Sequence, residues 1–220
     1  MAVTLDDVRR DHEVQVFIAK ANDNLAVLGY TEHGTRHASL VAATASNVLL
    51  RLGYAERDAE LAAIAGYLHD IGNGISRLDH GIAAALNARH ILGRLGMPPE
   101  EYAEVMCAIG NHEEEYGQAV SAMAAAVILG DKSDVHRSRV RRIEPDTTDM
   151  HDRVNTATTR SFLNVDGEVK SVTLELEIDT TIIQLMHYFE IFLARMVMCR
   201  RAAEFLGCSF GLLINGARLL

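Results

Sequence analysis

The chain has 220 residues, of which 49% are hydrophobic, and its formal net charge is −9. A chain of this length can bury a substantial core, and its negative charge argues against non-specific binding to nucleic acid or to an anionic membrane. The longest apolar run, from Ala122 to Gly130, is far shorter than the ~20 residues of a membrane span. Its three cysteines form no Cys-x-x-Cys pair, and together these features predict a cytoplasmic protein that does not enter a membrane.

Apolar residues recur at helical spacing through the first two-thirds of the chain. Capping and terminating residues divide this part into six predicted helices, over about Thr4–Leu28, Thr35–Leu52, Glu56–Ile71, His80–Leu95, Pro98–His112 and Gln118–Arg139. The connections between them are short, as in a compact helical bundle.

The pattern changes near Pro145 from helical to strand-like. Two segments of alternating apolar and polar residues flank Asp166-Gly167, a dipeptide that favours a two-residue type I′ turn. The predicted elements are two hairpin strands, a long helix and a possible third strand, over about 160–165, 169–178, 181–206 and 209–214. We therefore predict a mainly α protein, with a helical domain over residues 1–145 and a small α+β subdomain over residues 146–220.

Histidine and aspartate recur near the ends of the predicted helices. His69 and Asp70 are adjacent where the third predicted helix ends before Gly72. The other helices offer further donors next to apolar residues, namely His37, His80, His112 and Asp131. Imidazole and carboxylate donors together suit Mn, Fe, Zn or Mg, and the lack of cysteine among them argues against a structural zinc site. One or two divalent metal ions are therefore the expected cofactors.

The order His37, His69-Asp70, Asp131 in an all-helical chain resembles the His…His-Asp…Asp signature of the HD-domain metal-dependent phosphohydrolase superfamily. His80 and His112 resemble the second-metal histidines of its binuclear members, and the pattern is closest to bacterial diadenosine tetraphosphate hydrolases and HD-GYP-related domains. The resemblance covers about residues 30–140. It implies one ion held by His37, His69, Asp70 and Asp131, and a second ion held by Asp70, His80 and His112.

The subfamily stays open at this point. The sequence contains no Gly-Tyr-Pro tripeptide, and Asn111 precedes His112 where HD-GYP proteins usually carry another histidine. Asn73-Gly74 stands where guanosine tetraphosphate hydrolases carry a Glu-Asp pair. The diadenosine tetraphosphate hydrolases lack the α+β tail.

The ligand types implied by the resemblance suit hydrolysis of phosphate esters. Two ions that share Asp70 would activate a water for in-line attack on phosphorus. We therefore predict cleavage of a phosphomonoester, phosphodiester or phosphoanhydride bond in a nucleotide or a similar small phosphorylated molecule. Asp70 and Lys132 are the predicted catalytic residues. The basic run after Asp131 offers phosphate-binding residues, namely Lys132, Arg137 and Arg141.

Alternatives to this function remain. A catalytically silent metal-binding HD domain could act as a ligand sensor or an interaction scaffold. Nucleic acid is disfavoured as a partner by the charge and by the few aromatic side chains, which number 6 Phe, 6 Tyr and no Trp. A homodimer could form through the sheet edge or the long helix of the C-terminal subdomain. Histidines outside the ligand set are interpreted as structural, namely His90, His136, His151 and His187.

Overall fold

The computed structural model describes residues 2–115, 117–141 and 150–220. Helices make up most of the described chain, and a small four-stranded sheet lies in its C-terminal part, which confirms the predicted fold class. The helices that precede the sheet are α1 (Leu5–Arg10), α2 (His12–Val27), α3 (Thr35–Arg51), α4 (Glu56–Leu68), α5 (His80–Arg94), α6 (Pro99–Gly110), α7 (Ala122–Lys132) and α8 (Met150–Ala157), with short 3-10 helices at Ile71–Gly74 and Arg137–Arg139. Within the described residues, no helix is long and apolar enough to cross a membrane.

The first predicted helix is in fact two helices, α1 and α2. Asp11 lies between them in an extended conformation, with φ −68° and ψ 124°, and its carboxylate accepts a hydrogen bond from the backbone N–H of Val14. An aspartate at this position caps the free N–H groups of a new helix more favourably than it continues the old one. The prediction of one continuous helix from Thr4 to Leu28 was therefore wrong at Asp11.

Three helices at the centre of the bundle approach one another closely. Every residue of α4 from Leu61 to Leu68 is buried, as is every residue of α7 from Met123 to Lys132. A Cβ added at Gly66 of α4 would lie 3.1 Å from the backbone of Ala42 in α3. A Cβ added at Gly130 of α7 would lie 3.0 Å from the carbonyl oxygen of Val41, also in α3. These glycines let α4 and α7 pack on the backbone of α3, so the ends of the three helices meet.

The sheet has the strand order β1-β2-β3-β4. Its strands are β1 (Thr158–Asp166), β2 (Ser171–Ile178), β3 (Ser209–Ile214) and β4 (Ala217–Arg218). Strands β1 and β2 form an antiparallel hairpin, while β3 pairs in parallel with β2 and confirms the predicted third strand. Helix α9 (Leu185–Phe205) connects β2 to β3 and packs against both strands and against α7.

The hairpin turn differs from the prediction. Asp166 pairs with the first residue of β2, so a loop of residues 167–170 replaces the predicted two-residue turn. The carboxylate of Asp166 accepts a hydrogen bond from the backbone N–H of Val169, which is 70% exposed and lies outside the strand. Lys170 adopts a left-handed conformation with φ 52°. A Cβ at Gly167 would overlap the carbonyl oxygen of Arg51, so the glycine lets this loop reach the end of α3.

One buried apolar cluster extends from Val3 to Ile214 and includes residues of the helical bundle, of α9 and of the sheet. The predicted boundary between residues 145 and 146 lies outside the described residues. The division into a helical domain and an α+β subdomain therefore stays a prediction.

Candidate metal centre

His37 lies in the first turn of α3, and its ring is completely buried. Its Nδ1 lies 2.7 Å from Oδ2 of Asp134, and that carboxylate also accepts a hydrogen bond of 2.7 Å from Arg36. Burial alone would raise the pKa of Asp134, but the positive charge of Arg139 and the bonds from His37 and Arg36 hold it well below its usual range. An ionised carboxylate can accept but not donate, so Nδ1 of His37 carries the proton and Nε2 offers a lone pair.

His69 and Asp70 follow the last residue of α4. Nδ1 of His69 donates to the carbonyl oxygen of Gly66 at 2.7 Å, which leaves Nε2 as the free ring nitrogen. The Oδ1 atom of Asp70 accepts a hydrogen bond of 2.9 Å from Asn73. The Oδ2 atom is buried and makes no hydrogen bond within the described chain, although His69 Nε2 lies 3.2 Å away and His37 Nε2 lies 3.6 Å away. A buried carboxylate oxygen surrounded by imidazole nitrogens is the environment of a metal ligand.

His80 begins α5 and His112 lies just beyond α6. Their Nε2 atoms are 3.2 Å apart, and Nε2 of His80 is 3.4 Å from Oδ1 of Asp70. Nδ1 of His112 donates to the carbonyl oxygen of Ile109 at 2.6 Å. Nδ1 of His80 lies 3.1 Å from the carbonyl oxygen of Arg77. Burial and the neighbouring rings of His69 and His80 hold the pKa of His112 well below its usual value, so its ring is neutral at physiological pH.

Two acidic residues complete the surroundings of these rings. Asp131, near the end of α7, places Oδ1 3.3 Å from Nε2 of His37 and Oδ2 2.6 Å from the ammonium of Lys132. Glu113 places Oε2 3.2 Å from Nδ1 of His80. Burial would raise the pKa of Asp131, but Lys132 and His37 lower it well below its usual value. Asp131 is therefore ionised and available as a ligand.

The donor atoms have the spacing of a metal coordination sphere. Ligand atoms that sit about 2.1 Å from one ion are separated by roughly 3 Å, and Nε2 of His37 and Nε2 of His69 are 3.3 Å apart. Three overlapping sets could hold an ion: His37, His69 and Asp70; His69, His112 and Asp131; and Asp70, His80 and His112. We call the first the inner group and the last the outer group. All six predicted ligands thus come together, and the residues present fit a divalent metal site with Asp70 in both groups.

A cavity of about 580 Å³ opens onto the outer group. Asp70, His80, His112 and Asp131 line it, whereas His37 and His69 have no exposed surface. Residues from the C-terminal part of the chain form another wall, namely His151, Asp152, Asn155, Phe192 and Arg195. The cavity therefore combines the candidate ligands with side chains of α8 and α9.

The predicted phosphate-binding residues are divided by the structure. Lys132 is buried and lines the cavity. Arg137 is exposed on the 3-10 helix after α7, away from the cavity wall. Arg141 donates to the carbonyl oxygens of Tyr30, at 2.8 Å, and Thr31, at 3.0 Å, and so ties the chain after α7 to the loop between α2 and α3.

Sequence reasoning did not identify several residues that support the site. Asp134 and Asn73 orient predicted ligands, and Glu113 contacts one of them. Arg139 belongs to the basic run that the sequence offered for phosphate binding, but the structure buries it, places it 3.6 Å from Asp134 and has it line the cavity. His151, interpreted as structural, also lines the cavity. For Asp134 and Asn73 the sequence signal is proximity to a predicted ligand, because each follows one by three residues.

Comparisons with known proteins agree with this geometry. The model of the HD domain family matches residues 35–163, which is more than half of the chain. A protein of Methanocaldococcus jannaschii, described as uncharacterized, is 27% identical over 195 residues, covering 78% of this chain and 74% of the relative. The family match includes all the candidate ligands and ends within β1, so α9 and its contribution to the cavity lie beyond it.

Proposed function

Because the chain belongs to the HD domain family, we propose that it is a metal-dependent phosphohydrolase acting on a nucleotide or another small phosphorylated molecule. The bond cleaved would be a phosphomonoester, phosphodiester or phosphoanhydride bond. The observation that carries this proposal is the position of Asp70, which belongs to both ligand groups and lies at the wall of a cavity large enough for a small molecule. A protein that acted only as a scaffold would not need metal ligands that line such a cavity.

The side chains of the site would have distinct roles. Asp70 would contribute to both ion sites, and the other ligands would be His37, His69, His80, His112 and Asp131. Divalent ions in these positions supply Lewis-acid stabilisation of phosphoryl oxygens and lower the pKa of a water molecule. Lys132 lies 2.6 Å from Asp131 and lines the cavity, so its ammonium could bind a phosphoryl oxygen of the substrate.

Elemental analysis combined with turnover tests this function. We expect about two divalent ions per chain, and Mn-dependent hydrolysis of p-nitrophenyl phosphate, of its diester or of a member of a nucleotide panel. Removal of the metal by a chelator should abolish turnover, and added Mn should restore it. Stoichiometric metal without turnover of any of these esters would contradict the proposal and would favour a metal-binding sensor or scaffold.

The C-terminal part also supports the proposal of a homodimer. Strand β1 stands at one end of the strand order, and its Phe162 is 50% exposed. Strand edges offer backbone hydrogen-bonding groups to a second chain. Sedimentation equilibrium should therefore give twice the mass of 24.1 kDa, and a Phe162→Lys variant should shift the protein toward the monomer. A wild-type monomer at all concentrations would contradict the dimer.

A further inference from the structure

Glu114 connects two cations at the wall of the cavity. Its Oε1 lies 2.7 Å from Nε of Arg195 and 3.5 Å from Nζ of Lys132. Lys132 is the last residue of α7, Arg195 lies on α9, and all three residues line the cavity. Since the ammonium of Lys132 also contacts the candidate ligand Asp131, this cation pair adjoins the metal centre.

Arg195 is oriented by its own helix. The guanidinium carbon lies 4.6 Å from the ring centroid of Phe192, a residue that is 1% exposed and therefore fixed in the core. In the part of the chain that the structure describes, Glu114 is the ion-pair partner of Arg195, and the contact given for the pair is made by Nε. A guanidinium that is held in this way at a cavity wall can receive an oxyanion with little loss of side-chain entropy.

We propose that Lys132 and Arg195 form an oxyanion subsite for the substrate, in which Glu114 is the resident anion that a phosphate group replaces. This inference rests on the proposed phosphohydrolase function. The side chains of Glu114 and Arg195 are 31% and 24% exposed, so solvent reaches their ion pair and partly screens it. A phosphate carries more negative charge than a carboxylate and accepts parallel hydrogen bonds from a guanidinium, so it displaces Glu114.

The subsite would make the C-terminal part a contributor to substrate binding. Arg195 lies outside the range that matches the HD domain family, whereas Lys132 lies inside it. Helix α9 packs against α7, which brings the two cations to the same oxygen of Glu114. The α+β part would then complete the substrate site rather than cover an inert face of the bundle.

Binding of inorganic phosphate to the Mn-loaded protein tests this proposal by titration calorimetry. Loss of a charge-assisted bidentate contact should weaken phosphate binding about 10- to 100-fold in Arg195→Gln. Removal of the competing carboxylate in Glu114→Gln should tighten binding by about two- to fivefold. Arg200→Gln is the matched control, because Arg200 lies on the same helix, is exposed and pairs with Glu204. Its phosphate affinity should equal that of the wild type.

The two variants separate a subsite from a merely structural ion pair. A structural pair predicts equal or weaker phosphate binding in both variants. Unchanged or weaker binding by Glu114→Gln would therefore overturn the proposal, as would wild-type affinity in Arg195→Gln. Arg195→Lys keeps the charge and should recover part of the affinity. If the Mn-loaded wild type binds no phosphate at all, the proposed function itself fails, and this result is distinct from a failure of the subsite alone.

Discussion

In the inner group His37 is held by a buried carboxylate, whereas in the outer group His80 is held by a backbone carbonyl and a more accessible carboxylate. Asp134, the partner of His37, has a side chain that is 1% exposed and is also bound by Arg36 and Arg139. Glu113, the partner of His80, is 13% exposed, and His80 has a second acceptor in the carbonyl oxygen of Arg77. The other imidazole of each group donates to a backbone carbonyl one turn earlier in the chain.

This difference indicates that the two groups depend on the fold to different degrees. Loss of Asp134 would leave the buried guanidinium of Arg139 without its carboxylate, so the inner group is coupled to the stability of the bundle. Loss of Glu113 leaves His80 with another acceptor, so the outer group is coupled mainly to the cavity that it lines. We therefore expect tighter metal binding in the inner group than in the outer group.

Asp70→Asn should have the largest effect, because Asp70 is the residue that the two groups share. Asparagine keeps the shape but removes the charge, and we expect both metal ions to be lost and turnover to fall by about 1000-fold or more. Elemental analysis and Mn-dependent turnover measure the two effects. Asp58→Asn is the control, because Asp58 is exposed on α4, and this variant should keep both metal ions and full turnover. Loss of one ion alone would show that Asp70 does not bridge the groups.

Asp134→Asn should lower the affinity of the inner group about 10- to 100-fold, because outer-sphere partners of a ligating histidine fix its ring and its tautomer. It should also reduce the free energy of unfolding by about 3 kcal/mol, since Arg139 stays buried without a counter-charge. Metal titration and denaturant unfolding of the metal-free protein report these separately. An unchanged stability would contradict the coupling between the inner group and the bundle.

Gly72→Ala should disturb the outer group through the backbone. A Cβ at Gly72 would overlap the carbonyl oxygen of His80 and lie 2.6 Å from the backbone nitrogen of Ala84, so the start of α5 must move. We expect a loss of about 3 kcal/mol in stability and a weaker outer ion. Gly93→Ala is the matched control on α5, because its Cβ meets no atom within 4 Å. It should instead stabilise the helix by about 0.5–1 kcal/mol.

The candidate ligands could be predicted because each lies at or near the end of an apolar helix. His69 and Asp70 follow a helix whose residues from Leu61 to Leu68 are all buried, and the helical pattern of the bundle brings His37 and Asp131 to the same end. The strand alternation of β2 likewise predicted its buried face. These features depend on residues that are close together in sequence, so the periodicity of apolar residues can predict them.

The residues that orient the ligands and complete the cavity act through contacts between segments that are distant in sequence. A local sequence pattern cannot predict such contacts. Asp134 orients His37, which lies 97 residues earlier in the chain. Arg195 reaches the cavity because α9 packs on α7, and nothing in the periodicity of either helix predicts that pairing. The hairpin loop was mispredicted for the same reason, since Gly167 is needed for its approach to Arg51 rather than for a tight turn.

Glu113→Gln should have the smallest effect and gives the sharpest test of the comparison with Asp134. Glutamine keeps an oxygen that can accept the hydrogen bond from the backbone N–H of Gly81, but it removes the charge near His80. Because Nδ1 of His80 can donate to the carbonyl oxygen of Arg77 instead, we expect the affinity of the outer ion to fall by about two- to tenfold and that of the inner ion to stay unchanged. Titration with Mn resolves the two binding steps. If Glu113→Gln weakened metal binding as much as Asp134→Asn, the charge of each carboxylate rather than its burial in an ion network would determine how firmly a group is held.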